Sequence, residues 1–208
     1  MNTQTQILLA AEPLIAHQGP EGISMREIAR LSGQRNTAAL QYHFGSREGL
    51  LDHWVLWRIR QINRLRDRHF GPLQASPSLE SLIARLAQPF LMHLKSTFAQ
   101  HNQSHWARCL ARLDMAGALH PPEQPTDQRW QNSLLTTLAA IRVQLPAEQA
   151  EFLVNLAFHT LTQGLGRIEH GINNASLPLE SLHSHGDTLQ TAISGMLRST
   201  IINPGSTV

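Results

Sequence analysis

Charge is scarce in this chain: Asp, Glu, Lys and Arg together supply 15 % of its 208 residues, well below the usual quarter. Lys95 is the only lysine, so nearly all positive charge is arginine, which stays ionised and forks onto phosphate or carboxylate. Seventeen basic residues against 15 acidic ones leave a formal +2, and net charge alone does not announce a nucleic-acid partner. Cys109 is the only cysteine, which excludes an intrachain disulfide and fits a reducing cytoplasm. No stretch approaches the ~18 consecutive apolar residues of a membrane span, so no membrane partner is expected. The opening segment MNTQTQILLAAEPLIA has no basic n-region and is interrupted by Glu12, so it is not expected to act as a signal peptide. There is no run of alternating apolar and polar residues long enough for a strand, no internal repeat and no low-complexity segment. HExxH, P-loop and GxSxG motifs are missing, and Gly164-Leu165-Gly166 lacks the third glycine of a dinucleotide loop.

What is present is helical, and 41 % hydrophobic residues are enough to bury a core. Ile7, Leu8, Ala11, Leu14 and Ile15 share one helical face, with Pro13 inside the run predicting a lost backbone bond and a bend. After a turn at 19–22, Ser24 to Glu27 reads as a capping box, Met25, Ile28 and Ala29 as a buried stripe, and Gly33 as the stop. Asn36 is a plausible N-cap for a second short helix, from Thr37 to about His43. Ser46 caps a long helix carrying Leu50, Leu51, Trp54, Val55, Ile62 and Leu65, with Arg58, Arg60, Arg64, Arg66 and Arg68 crowding its second half. About 23 residues give it roughly 34 Å, enough to link two layers. Further helices are predicted over 79–98, with a kink at Pro89, and over 105–115, 130–145, 147–168 and 178–201, with a loop at 121–125. The fold class is all-α.

The segment Ser24–Phe44 has the grammar of a helix-turn-helix, in which the first helix braces and the second lies in the DNA major groove. Asn36, Thr37, Gln41, Tyr42 and His43 crowd the second helix with hydrogen-bonding groups, and Ala38 allows close backbone approach. The plain alternative is a pair of short surface helices. Ser24 and Arg47 lie at two helix N-termini, where free N–H groups and the dipole attract phosphate. Gln41 and Asn36 can read adenine, and Thr37 can touch a thymine methyl.

The stretch 7–51, read as ILLAAEPLIAHQG…SMREIARLSG…NTAALQYHFGSREGLL, closely resembles the DNA-binding domain of TetR-type transcriptional regulators. Ile28-Ala29 and Gly33 match the brace and turn; Leu40, His43, Phe44, Ser46, Arg47, Glu48 and Leu50 match the second half of the pattern. The turn Gly33-Gln34-Arg35-Asn36 is one residue longer than usual, which bears on the approach angle of the second helix. Gln41 stands where the family often has Tyr, with Tyr42 beside it, and Arg47 replaces the usual Lys. The resemblance implies a three-helix DNA-binding head over 1–46 and a helical effector-binding and dimerisation domain over 47–208. It implies a cytoplasmic homodimer, a repressor of transcription released from a double-stranded DNA operator by a small-molecule effector, with no enzymatic activity. The expected DNA contacts are Ser24, Arg35, Asn36, Thr37, Ala38, Gln41, Tyr42, His43 and Arg47.

The rest of the chain is less specific. Phe90, Phe98, Trp106, Cys109, Leu113, Trp130 and Leu134 either line an effector cavity, as the resemblance implies, or are plain core. The segment 150–161 is apolar nearly all round, and Leu182, Leu189, Ile193, Met196 and Leu197 have near-heptad spacing. The resemblance implies a four-helix dimer interface there, including Phe152, Leu156, Leu182, Leu189, Ile193 and Met196; burial within one subunit is the alternative. His101/His105 and His183/His185 are close pairs, but zinc needs a third and usually a fourth ligand and no cysteine pair exists, so neither metal nor cofactor is expected. Two rival classes stand beside the regulator: an all-α metal-dependent enzyme using the histidine pairs, and an effector-independent DNA-binding protein.

Overall fold

The computed structural model describes residues 2–117, 119 and 131–202. Among them nine α-helices run in chain order: α1 (Thr3–Gln18), α2 (Met25–Leu31), α3 (Ala38–Phe44), α4 (Arg47–Phe70), α5 (Leu79–His101), α6 (Trp106–Met115), α7 (Thr136–Val143), α8 (Ala150–Asn173) and α9 (Leu182–Ile202). A π-helical turn, Gln131–Leu135, leads into α7, and a 3-10 turn, Leu179–Ser181, leads into α9. The expected loop at 121–125 and the first residue of the expected helix 130–145 lie outside the described residues.

The local chemistry explains the boundaries. Asn2 Oδ1, Ser46 Oγ and Ser78 Oγ cap α1, α4 and α5 by accepting from the N–H groups of Thr5, Gly49 and Ser81. The predicted capping box at Ser24 does not form: Ser24 has the extended backbone of an N-cap, but its side chain makes no capping bond. The N-cap of α3 is Thr37, not Asn36, while the Asn36 side chain accepts from the Ala38 N–H two residues on. Pro13 and Pro89 both lie inside continuous helices. The α8 helix starts at Ala150, three residues later than expected from Pro146, and runs on to Asn173.

One hydrophobic core runs through the molecule, from Ile7 and Ile28 in the first helices to Ile193 and Leu197 in the last. The apolar face of α1 packs on α2 and on α6, α4 lies along α5, and α8 is sandwiched between α6 and α9. The first three helices thus rest on the remainder through α1 and through α4, which is long enough to pass from one layer to the other. At the α8–α9 crossing the Leu189 side chain occupies the space a Cβ would take at Gly164, so the glycine permits the close approach of the two helices.

Candidate functional site

The α2–α3 segment is held in place by apolar anchors and a tied turn. Ile28 and Ala29 of α2 and Leu40 and Phe44 of α3 are buried. At the end of α2, Gly33 takes a positive φ of 74°, its N–H donates to Arg30 O, and the Gln34 N–H reaches back to Ala29 O. This pair of bonds is a Schellman ending, which favours glycine at that position. The extra turn residue is absorbed by side chains: Gln34 Nε2 donates to Ser32 O at 3.2 Å, and the Asn36 carbonyl caps Ala38. Arg35 is left exposed between them.

Helical spacing then sorts α3 into two faces. Leu40 and Phe44, four residues apart, point into the core; Ala38, Gln41 and Tyr42 are exposed, Tyr42 at 86 %. The ring of Tyr42 meets only the edge of His43, 5.1 Å between centroids. It therefore does not brace the helix against α4. Ser24, Asn36 and Arg35 are exposed, and Thr37 and His43 are half-buried. Arg26 and Arg30 on α2 are also exposed, cations on the same segment that sequence reasoning passed over because it read α2 only as a brace.

Arg47 is differently placed from the free phosphate clamp expected of it. Its Nη1 donates to the Glu21 carbonyl at 3.1 Å, its Nη2 pairs with the Glu21 carboxylate at 3.3 Å and its Nε with Glu48 at 3.2 Å. It ties the α1–α2 turn to the start of α4, and an anion arriving there competes with Glu21.

The residues expected to line an effector cavity are packed core. Phe90, Phe98, Trp106, Cys109, Leu113 and Leu134 are all buried in the continuous cluster; Trp130 lies outside the described residues. Phe90 lies 6.5 Å from Trp106 and 6.3 Å from Phe158, centroid to centroid, so aromatic side chains fill the space that was to be open. Phe98 borders a recess, against Leu177 and Leu179. Burial raises the Cys109 thiol well above its ordinary range, which makes it inert.

A larger recess of 590 Å³ opens elsewhere, between α1, α4, α5 and the segment leading into α6. Along it runs a polar chain that no sequence pattern announced. Glu12 of α1 is buried against Arg58 of α4, with Arg58 Nε and Nη2 both on Glu12 Oε1, and the Trp54 indole N–H donates to the same oxygen at 3.0 Å. Arg58 Nη1 continues to Gln61 at 3.2 Å and to His93 Nε2 of α5 at 3.3 Å, while its guanidinium lies over the Trp57 ring at 4.2 Å. His93 is held neutral, its pKa pushed down to about 3 by burial first and by Arg58 second, so Nε2 can accept from Arg58. The unfolded chain then binds a proton that the folded one refuses between about pH 6.5 and 3, and stability falls as pH drops through that window, by at most ~1.4 kcal/mol per unit. We expect His93→Gln, which keeps an acceptor, to lose up to about 2 kcal/mol less stability than the parent between pH 7 and 5. Urea unfolding at the two pH values checks this, and equal losses in both proteins would refute it.

Another buried carboxylate, Glu169 of α8, caps α6: it accepts from Ser104 Oγ at 2.5 Å, Arg108 N at 2.7 Å and Ala107 N at 3.0 Å. Its pKa is raised to about 7 by burial, against the pull of those bonds. No three His, Cys, Asp or Glu side chains gather as a metal site among the described residues.

Of the expected dimer contacts, Phe152 is 68 % exposed, and Leu156, Leu189 and Met196 are half-buried. Leu182 and Ile193 are buried within the protomer, at 5 % and 0 % exposure, because α9 turns those positions toward its own core. They are withdrawn from any partner.

A sequence model of bacterial regulatory proteins of the tetR family matches residues 7–53, the span from the buried face of α1 through the exposed face of α3 to the first turns of α4. Over this span the chain is similar to the DNA-binding domain of the tetR family, which supports a DNA-binding transcriptional regulator with a helix-turn-helix. No curated protein matches it. Three solved structures share its fold along nearly the whole chain. A TetR transcriptional regulator from Legionella pneumophila is 18 % identical with a TM-score of 0.53, covering 95 % of this chain and 98 % of its own. A TetR from Streptomyces coelicolor is 15 % identical with a TM-score of 0.52, covering 95 % and 96 %. A TetR variant from Acinetobacter baumannii, in complex with minocycline, is 16 % identical with a TM-score of 0.51, covering 93 % and 96 %. Among the described residues no helix is long and apolar enough to cross a membrane.

Proposed function

We propose that this TetR-family regulator is a homodimeric repressor, acting in the cytoplasm by binding rather than catalysis, and released from its operator by a small-molecule effector. Residues 1–46 serve as the DNA-binding head and 47–208 as the effector-binding and dimerising body. The observation that carries the reading is the division of α3, with Leu40 and Phe44 buried and Ala38, Gln41 and Tyr42 presented together to solvent. A helix so divided can enter a major groove without disturbing its own anchors. Gln41 reads a base edge, Ala38 allows close approach, and Tyr42 packs on the sugar–phosphate backbone. Ser24, Arg35, Asn36, Thr37, His43 and Arg47 surround that face and set register through phosphates.

The effector reading is supported by the Glu12–Arg58–His93 chain, which joins α1 of the head to α5 of the body through α4. A ligand that moves α4 or α5 disturbs a buried ion pair in the head, so the spacing of two heads responds to the body as a population shift. The A. baumannii structure holds minocycline, and ligand control of the same general kind is proposed here for an effector of its own. Dimerisation is proposed through the exposed Phe152 and the half-buried Leu156, Leu189 and Met196 of α8 and α9.

The test is fluorescence anisotropy on a duplex selected by the protein from a random library, against a scrambled duplex, at two salt concentrations. The protein should prefer a two-fold site and lose affinity steeply with salt. Gln41→Ala should cost about 1–3 kcal/mol on the selected duplex and relax one base position. Phe152→Glu, at a position exposed in the protomer, should sediment as a folded monomer and bind the two-fold site far more weakly, since one head offers few cations. A protein that binds neither duplex, or a Gln41→Ala variant that matches the parent, overturns the DNA-reading assignment; a dimeric Phe152→Glu overturns the interface.

A further inference from the structure

We infer that the recess between α1, α4 and α5 is a binding site for a small organic anion, a carboxylate carrying a flat apolar body. This rests on the effector reading above and names the chemistry of its ligand. The recess holds 590 Å³, within the size range of small-molecule sites. Three arginines line it, Arg58, Arg64 and Arg68, against the single carboxylate of Glu12, which Arg58 already satisfies. Arg64 and Arg68 are exposed and stand one helical turn apart on α4, so both can reach one acidic group. Guanidinium pairs of this kind hold carboxylates in charge-assisted, forked hydrogen bonds.

The walls supply the other half of the ligand. The Trp57 ring, Pro13 and Leu65 also line the recess, giving a flat apolar body a surface to lie on. On the α6 side, His105 also lines the recess. DNA is a poor competitor for these arginines: Arg64 lies 17 residues beyond Arg47 on α4, about 26 Å along the helix at ~1.5 Å per residue. The floor of the recess is the Glu12–Arg58–His93 chain, so a bound anion beside Arg58 competes electrostatically with Glu12 for the same guanidinium.

The experiment is isothermal titration of the full-length protein with 2-naphthoate and, as a neutral analogue of the same shape, 2-naphthamide. The parent should bind 2-naphthoate saturably and the amide more weakly. Arg64→Ala with Arg68→Ala should weaken 2-naphthoate by about tenfold or more, the scale of one charge-assisted hydrogen bond, and leave the amide unchanged. Both residues are exposed, and circular dichroism checks that the double variant is folded. No saturation by about 10 mM, or equal affinity in parent and double variant, overturns the site. Operator affinity followed in the same samples separates the two readings. Release of DNA by 2-naphthoate supports both; 2-naphthoate binding that leaves operator affinity unchanged keeps the site and sinks its effector role.

Discussion

Glu12→Ala should cost about 3–5 kcal/mol of stability, the range seen when one partner of a buried ion pair is removed. Glu12 is 5 % exposed and Arg58 likewise 5 %. Among the described residues the carboxylate is the only anion touching that guanidinium; its other partners, Gln61, His93 and the Trp57 face, are neutral. Truncation therefore leaves a buried cation without a counter-charge and also orphans the Trp54 indole N–H. The control is Glu12→Leu combined with Arg58→Met. Removing both charges and refilling the space should recover most of the loss, short of ~1–3 kcal/mol for the unpaired indole. Chemical unfolding of the parent, the single and the double variant decides it. A single variant within about 1 kcal/mol of the parent, or a double variant less stable than Glu12→Ala, would show that the pair does not carry charge compensation at this junction.

That pair marks the limit of what the sequence disclosed. The helix-turn-helix was legible because its signals are local: an apolar stripe at Ile28-Ala29, a glycine at 33 where a positive φ is needed, a serine cap at 46, and anchors Leu40 and Phe44 four residues apart. Glu12 was legible only as a flaw in the apolar face of α1, and Arg58 only as one of five arginines in the second half of α4. Position within the helical period separates those arginines. Arg58 and Arg66 continue the stripe of Trp54, Val55 and Ile62 and are buried; Arg64 and Arg68 fall on the other side and are exposed. A charge in a buried register predicts a partner on a facing helix, but its identity depends on packing between residues 12, 58 and 93. The same holds for Glu169, which caps a helix some 60 residues away in sequence. The aromatic residues of the middle helices were ambiguous for a different reason: Phe90 and Trp106 show the same amphipathic pattern whether a core is filled or hollow, and only the packed geometry separates the two.

Gly49→Ala should weaken operator binding about tenfold to a hundredfold while leaving the body folded. A glycine in the first turn of a helix is ordinarily a liability, and alanine there would gain about 0.5–1 kcal/mol. Here the sign reverses. A Cβ at Gly49 would lie 2.1 Å from the carbonyl oxygen of Phe44, a backbone atom that has no rotamer to turn away. Phe44 is the last residue of α3 and one of its two buried anchors, so the clash is relieved only by moving the end of the recognition helix or by unwinding the cap that Ser46 places on the Gly49 N–H. Overpacking of this kind costs about 1–3 kcal/mol, and it falls on the helix proposed to read bases. We expect operator affinity to drop by roughly tenfold to a hundredfold, with the loss spread over all base positions rather than confined to one. Gly195 of α9 is the internal contrast: nothing lies within 4 Å of its would-be Cβ, so Gly195→Ala should stabilise by about 0.5–1 kcal/mol and leave DNA affinity unchanged. Thermal unfolding and anisotropy on the two variants read both signs. If Gly49→Ala stabilises the protein as Gly195→Ala does and binds the operator as the parent does, then α3 is not held in place by its contact with the start of α4.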